Sequence, residues 1–333
     1  MRVGIIGCGL AGKAHARAYR DIPGVSLVAV SDRDASAAVR LAAEFDVRSM
    51  STDQLADSDL DVIDIATPTA SHAAWVQQVA SQGKHAICET PLARTSEEAR
   101  AAVATCRKAG VQLFPLHLNA FQPPLRKARE ILKGGALGRI GMVRITRRYP
   151  GVPASAGDWR RNLGESGGVI LEMLSQDIAF LLEVFGPVRR IHAASTAYRE
   201  IMDGEYALVS LRFENGTIAH LDGAWLPEAQ GGDGFEFAGS AGLVAFSEEA
   251  GSPLQFRKRV AWGRLFEPAS RGGQVTLESP VAEDMYALGL AEIVRSLESG
   301  LEPPVSPDLA LEVLRVSVAA VESAATGRVI ALE

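Results

Sequence analysis

The sequence predicts a doubly wound α/β domain followed by an antiparallel-rich α+β domain. Three observations carry this. Apolar runs and helix-compatible runs alternate over the first third of the 333-residue chain. A glycine-rich run links the first apolar run to the first helical one. From about residue 140 onward, strand-like runs instead follow one another through turns, with helices grouped before and after them.

The elements can be taken in order. "RVGII" at 2–6 is a short, β-rich apolar run. Gly7-Cys8-Gly9-Leu10-Ala11-Gly12 follows, and then helix-compatible "KAHARAYRDI". "VSLVAVSD" is a second buried strand that ends at Asp32. "DVIDIATP" at 61–68 and "HAICE" at 85–89 repeat the pattern, and "EEARAAVATCRKAG" is a helix closed by Gly110. "VQLFPLHL" at 111–118 is a further strand. Strands alternating with helices predict a parallel sheet covered on both faces, with right-handed crossovers. The domain spans 1–121. The proline-rich Phe121-Gln122-Pro123-Pro124 marks its end, and 122–333 is assigned to the second domain.

A G-x-G-x-x-G run alone is weak evidence, because glycines occupy many turns. Here it leaves a strand, opens a helix and precedes an acidic residue at the end of the next strand, which is the full dinucleotide-binding context. Gly7 permits the turn, Gly9 lets the backbone approach a pyrophosphate, and Gly12 lets helix and strand pack. The helix start at Leu10 and Ala11 offers free N–H groups and positive dipole to the phosphates. Asp32 suits the adenosine ribose hydroxyls and so favours NAD, while Arg33 beside it leaves NADP open.

The second part contains strand-like runs at "GMVRITRRY", "RRIHAAST", "YALVSLRF", "TIAHLDGAWL", "FEFAG" and "LVAFS". "ENGT" at 214–217 is an Asn-Gly hairpin signal. One helix is expected over 167–185 and two more close the chain, around 282–298 and from Ser306-Pro307 to about Ala325.

Composition narrows the function classes. The hydrophobic share of 47% and the charged share of 22% are those of an ordinary globular protein. A net charge of −6 gives no footprint for nucleic acid or an anionic membrane. Cys8, Cys88 and Cys106 have no ligand-like spacing and read as reduced thiols in a cytoplasmic protein, with no metal site. The chain opens directly on a strand, so no signal peptide is expected. Helix 167–185 carries Glu172, Gln176, Asp177 and Glu183, which argues against a membrane span.

Five motifs in order then resemble the glucose-fructose oxidoreductase / inositol dehydrogenase family, Gfo/Idh/MocA. They are the N-terminal glycine run, "ATPTASH" (66–72), "CETPLA" (88–93), "FQPPLRKAREILKGGALGRI" (121–140) and "DWRRNLGESGGVILEMLSQDIAFLLEVFG" (158–186). The resemblance covers nearly the whole chain. It implies a Rossmann domain and a C-terminal domain with a large, open-faced, mostly antiparallel sheet that forms a homodimer or homotetramer contact. It also implies NAD(P)-dependent oxidation or reduction of sugars, cyclitols or related small molecules. Thr67 and Pro68 match a loop near the nicotinamide ribose, and His72 matches the His that follows it. Glu89-Thr90-Pro91 matches a Glu-Lys-Pro motif whose Lys contacts the reacting hydroxyl, with the bond before Pro91 expected in cis. Glu172 and Gln176 stand where the family commonly has Asp and a proton-transferring His. Trp159 and Arg160 match a Trp-Arg pair of the substrate pocket.

Thr90 and Gln176 depart from that pattern in the same direction. Neither an alcohol nor an amide titrates in the working range. Hydride transfer at an alcohol carbon nevertheless needs a proton to leave or reach the oxygen. His117, toward the C-terminal end of its strand, is the expected proton carrier because a free imidazole titrates near 6.5. A hydrogen-bonded structural histidine would also suit that position. Glu172 and Gln176, four residues apart, share a helix face and are expected to hold substrate, with Thr90 orienting a hydroxyl. Two other readings stay open: a dinucleotide-binding sensor without catalysis, and a reductase of an imine-like or conjugated substrate.

Overall fold

The computed structural model describes residues 1–150, 159, 162–198, 204–226, 232–248, 252–258, 274–276 and 284–332. They form two units, the first comprising Met1–Phe121, Asn162–Ser166 and Glu283–Arg315. Its strands are β1 (Arg2–Ile6), β2 (Ser26–Ser31), β3 (Arg48–Ser49), β4 (Val62–Ile65), β5 (His85–Glu89) and β6 (Leu113–Leu116). They pair in parallel in the order β3-β2-β1-β4-β5-β6. The chain runs outward from β1 through β3, then crosses to the other side at β4. Such a reversal leaves a crevice at the carboxyl ends of the strands, where ligands bind in sheets of this class. β4 and β6 are buried at every residue, as a sheet covered on both faces requires.

The connecting helices are α1 (Leu10–Arg20), α2 (Ala35–Phe45), α3 (Thr52–Ala56), α4 (Thr69–Ser81) and α5 (Ser96–Ala109). Side chains close the starts of three of them: Asp34 caps α2, and capping boxes built on Ser51 and Thr95 open α3 and α5. No side chain caps α1, which begins at Gly9.

The sequence cut after Phe121 coincides with the end of the first stretch of this unit, but the unit also includes residues far beyond it. Leu290, Ile293 and Val294 of a C-terminal helix join Val3, Ile5, Ala16 and Tyr19 in one apolar cluster. An added Cβ at Gly289 would come within 2.9 Å of the Phe121 ring, so this helix lies close against the 3-10 turn at Leu118–Ala120 that follows β6.

The second unit comprises Gln122–Arg161, Gly167–Ala282 and Val316–Glu333. It opens with α6 (Pro123–Lys133), whose prolines sit in the first turn where a missing N–H costs nothing. Its strands are β7 (Ile140–Pro150), β8 (Val188–Tyr198), β9 (Gly204–Phe213), β10 (Ile218–Leu226), β11 (Gly234–Gly239), β12 (Gly242–Ser247), β13 (Ser252–Lys258), β14 (Gln274–Thr276) and β15 (Ile330–Ala331). The sheet order is β14-β13-β12-β11-β7-β10-β9-β8-β15. Within this sheet, only β7 and β10 pair in parallel among the described strands. The Asn-Gly turn joins β9 to β10, with Asn215 Oδ1 accepting from Thr217 N at 2.9 Å.

The remaining helices are α7 (Leu163–Ser166, in the first unit), α8 (Ser175–Phe185), α9 (Met285–Ser299) and α10 (Pro307–Thr326). The single helix expected over 167–185 contains a π-helical turn at Ile170–Leu174 before α8 begins. Phe180 and Phe185 of α8 pack on Phe237 and Phe213 of the sheet at 5.7 and 5.6 Å between centroids.

The opposite sheet face is not uniformly apolar. The outward positions of β9 and β10 alternate Leu208 and Ile218 with Ser210, Arg212, His220 and Asp222. The face is mixed, and a Ser210–His220 hydrogen bond of 2.9 Å crosses it.

Candidate active site

The three fingerprint glycines are required for three different reasons. Gly7 has φ +106°, and a Cβ there would lie 2.3 Å from the Ala66 carbonyl oxygen. A Cβ on Gly12 would lie 1.8 Å from the Gly7 carbonyl oxygen. Neither clash involves a movable side chain. At Gly9 a Cβ would meet nothing within 4 Å, and both Gly9 and Leu10 are exposed. The helix start therefore offers the N–H groups of Leu10 and Ala11 to an approaching anion. Gly12→Ala is expected to destabilise the fold by about 3 kcal/mol or more, because backbone must move to admit the methyl. Gly9→Ala is expected to leave the melting temperature nearly unchanged and to weaken dinucleotide binding. Thermal melts with calorimetric NADH titrations check both.

Asp32 braces the loop from the end of β2. Its Oδ2 accepts from Cys8 N at 2.7 Å and its Oδ1 from Asp34 N at 2.8 Å. Carboxylate oxygens have lone pairs beyond these, so acceptor capacity remains for ribose hydroxyls. Arg33 is exposed beside it. Thr67 and Pro68 form the β4–α4 turn, where Ser71 Oγ donates to Thr67 Oγ1 at 2.8 Å.

β5 ends at Glu89, and the Thr90–Pro91 peptide is cis, as the resemblance implies. The turn is held from two sides. Thr90 Oγ1 donates to the Leu116 carbonyl at 3.4 Å. His72 lies inside, 1% exposed, with one ring nitrogen 2.7 Å from the Pro91 carbonyl and the other 2.7 Å from that of Thr67. Burial lowers its pKa despite these contacts, and the neutral ring donates to one of them. His72 thus joins the two loops through its ring nitrogens.

His117 is 2% exposed at the end of β6, and its Nδ1 has no hydrogen-bond partner among the described residues. Burial pushes its pKa down to about 4, only partly offset by the charge of Glu89. This corrects the ordinary value expected from sequence: burial keeps the ring neutral across the working range rather than half-charged.

One cluster has no place in the sequence reading. His15 of α1 is fully buried, with Nδ1 2.8 Å from Asp64 Oδ2 and Nε2 3.1 Å from Glu89 Oε1. Tyr19, one turn on, donates to the same Asp64 oxygen at 2.7 Å. The Tyr286 ring lies over His15 at 5.0 Å between centroids. Burial would discharge the imidazole, but Asp64 and Glu89 outweigh it and raise its pKa to about 10. His15 in turn holds Glu89 below the usual carboxylate range against the upward pull of burial. The available signal was Asp64 itself: a charge inside an apolar strand run demands a partner.

In the second unit, Glu172 lies in the π-helical turn and Gln176 in α8, both half-buried among buried neighbours. π-turns interrupt helices frequently at functional sites. Glu183 further along is spent on Arg129 and Lys133, at 3.2 and 2.8 Å. Next to Gln176, Asp177 pairs with buried Arg147 of β7 through contacts of 2.6 and 3.0 Å. Arg147 also donates to Asp233 at 2.9 Å. Trp159 is half-buried, and Arg160 lies outside the described residues. Among the described residues, no helix is long and apolar enough to cross a membrane.

Comparison with known proteins finds matches to both parts of the chain. Residues 1–117 match an oxidoreductase family with an NAD-binding Rossmann fold, and residues 125–245 match a GFO/IDH/MocA C-terminal domain. The uncharacterized oxidoreductase YrbE of Bacillus subtilis (strain 168) is 32% identical over 228 residues. That match covers 66% of this chain and 65% of the relative, so the chain spans just under two thirds of its length. Inositol 2-dehydrogenase of Rhizobium meliloti (strain 1021) is 26% identical over 339 residues, covering 100% of this chain and 99% of that protein. The crystal structure of GenD2 from gentamicin A biosynthesis, in complex with NAD, superposes with a TM-score of 0.85 at 26% identity. It covers 100% of this chain and 96% of that one.

Proposed function

The chain belongs to the GFO/IDH/MocA oxidoreductase family, and on that premise we propose that it is an NAD-dependent oxidoreductase acting on a sugar, a cyclitol or a related polyhydroxylated small molecule. The observation that carries this reading is the uncapped start of α1, open at Gly9 and flanked by Asp32 at the end of the neighbouring strand. The relatives named above support the substrate class. NAD, when bound, accepts or supplies the hydride.

The chain's own residues supply the rest. The N–H groups of Leu10 and Ala11 hold the pyrophosphate, and Asp32 accepts from the ribose hydroxyls while opposing a 2′-phosphate. Neutral His117 takes the proton of the substrate hydroxyl in oxidation and returns it in reduction. Thr90 orients that hydroxyl. Glu172 and Gln176 are the second unit's candidates for holding substrate, and Trp159 and Arg160 belong to the same proposal.

Isothermal titration calorimetry tests the reading: NADH is expected to bind more tightly than NADPH. Asp32→Ser is expected to shift that preference toward NADPH. Binding of neither nucleotide would overturn the proposal, and an unchanged ratio in the variant would remove Asp32 from the ribose site.

The open sheet face supports a homodimer or homotetramer, since the helix packing described for this sheet covers its other side. Light scattering at micromolar concentration is expected to find an assembly larger than the monomer. Free Cys8, Cys88 and Cys106 support a reducing, cytoplasmic setting.

A further inference from the structure

The bridge through His15 joins the core of the first unit to the strand end where Thr90 and His117 lie. Both ring nitrogens face carboxylates, and only an imidazolium donates to both. The inner carboxylate, Asp64, accepts from Tyr19 and sits in β4, a strand paired on both sides. The outer one, Glu89, is the last residue of β5, and its second oxygen accepts from Thr90 N at 3.2 Å. The ring is fully buried, with Tyr286 packed against it. Position is thus transmitted by hydrogen bonds from β4 through α1 to the turn at Thr90.

We propose that His15 is a positioning residue: by bridging Asp64 to Glu89 it fixes the Glu89 carboxylate and, through it, the turn that carries Thr90. The role rests on the oxidoreductase reading above. The charged and titratable groups facing Glu89 are His15, His72, His117 and Cys88. Asp64, Tyr19 and Tyr286 face His15 from the other side. With His15 present, its cation outweighs the burial of Glu89. Without it, burial prevails, and Glu89 binds a proton at a pH where the wild-type carboxyl is ionised.

The test is His15→Gln in the full chain, with Asp64→Asn as a milder second variant should the first fail to fold. Carbon-13 carboxyl resonances of glutamate-labelled protein are followed against pH, and Glu89 is identified by the loss of its signal in Glu89→Gln. Glu89 is expected to titrate below the usual carboxylate range in the wild type and above it in His15→Gln, with a smaller shift in Asp64→Asn. The kcat of His15→Gln is expected to fall about 10- to 100-fold, with KM for NAD little changed and a new loss of activity toward acid pH. An unshifted Glu89 signal overturns the bridge. A shifted signal with unchanged kcat and pH profile overturns the positioning role alone. Failure of the oxidoreductase reading shows separately, as absent turnover in the wild type, and the carboxyl titration still decides the bridge.

Discussion

Replacing His117 with Ala is expected to lower kcat by about two to four orders of magnitude, with NADH affinity changed by no more than about two-fold. His117 combines a titratable ring, a place at a strand end and a buried nitrogen with no partner among the described residues. Positioned acid–base groups contribute on this scale, and neither Thr90 nor Gln176 can replace one. The pH dependence follows from burial, which pushes the ring down to about 4. Oxidation needs the neutral ring, so the acid limb of activity is expected well below the 6.5 of a free imidazole. Stability runs in the same direction. The unfolded state binds this proton more readily than the folded state, so the contribution of His117 is full above 6.5 and is lost as pH falls toward about 4. His117→Asn, polar but not titratable, should be as inactive as Ala. Steady-state kinetics over a pH series check this, and full turnover in either variant removes His117 from the chemistry.

The second large effect is on stability. Arg147→Ala is expected to cost about 3–5 kcal/mol, because it leaves Asp177 and Asp233 buried without their cation. Arg147 is 1% exposed and holds both carboxylates, and Tyr149 donates to Asp233 at 2.8 Å. Replacing Arg147, Asp177 and Asp233 together with apolar residues should recover much of the loss, since the penalty lies in unpaired charge. Asp177 also adjoins Gln176, so the pair anchors the segment proposed to hold substrate. A destabilised but folded Arg147→Lys is therefore expected to raise KM for substrate more than KM for NAD, because Lys lacks the planar fork. Urea titrations and kinetics in both substrates measure the two effects.

What the sequence made legible was local. The fingerprint glycines, the strand alternation and the Asn-Gly hairpin each declare themselves within a few residues, and each is found where expected. Contacts over long separations were not legible. His15, Asp64 and Glu89 lie 49 and 74 residues apart along the chain. The return of α9 to the first unit depends on which apolar face its Leu290 and Ile293 meet, and periodicity does not name a partner. The π-helical turn at 170–174 is a backbone adjustment inside an apolar run with no breaker residue. His117 was placed correctly at its strand end, but the depth of its burial, and with it the direction of its pKa, came only from the packed structure.

This chain is expected to carry out hydride transfer although neither Thr90 nor Gln176 titrates in the working range. The most direct measurement is NADH formation when the wild-type protein is mixed with NAD and a panel of sugars and cyclitols. Turnover of at least one member is expected, and its loss in His117→Ala. NADH binding by calorimetry with no turnover on this panel or on an imine panel would contradict it and leave a dinucleotide-binding sensor in its place.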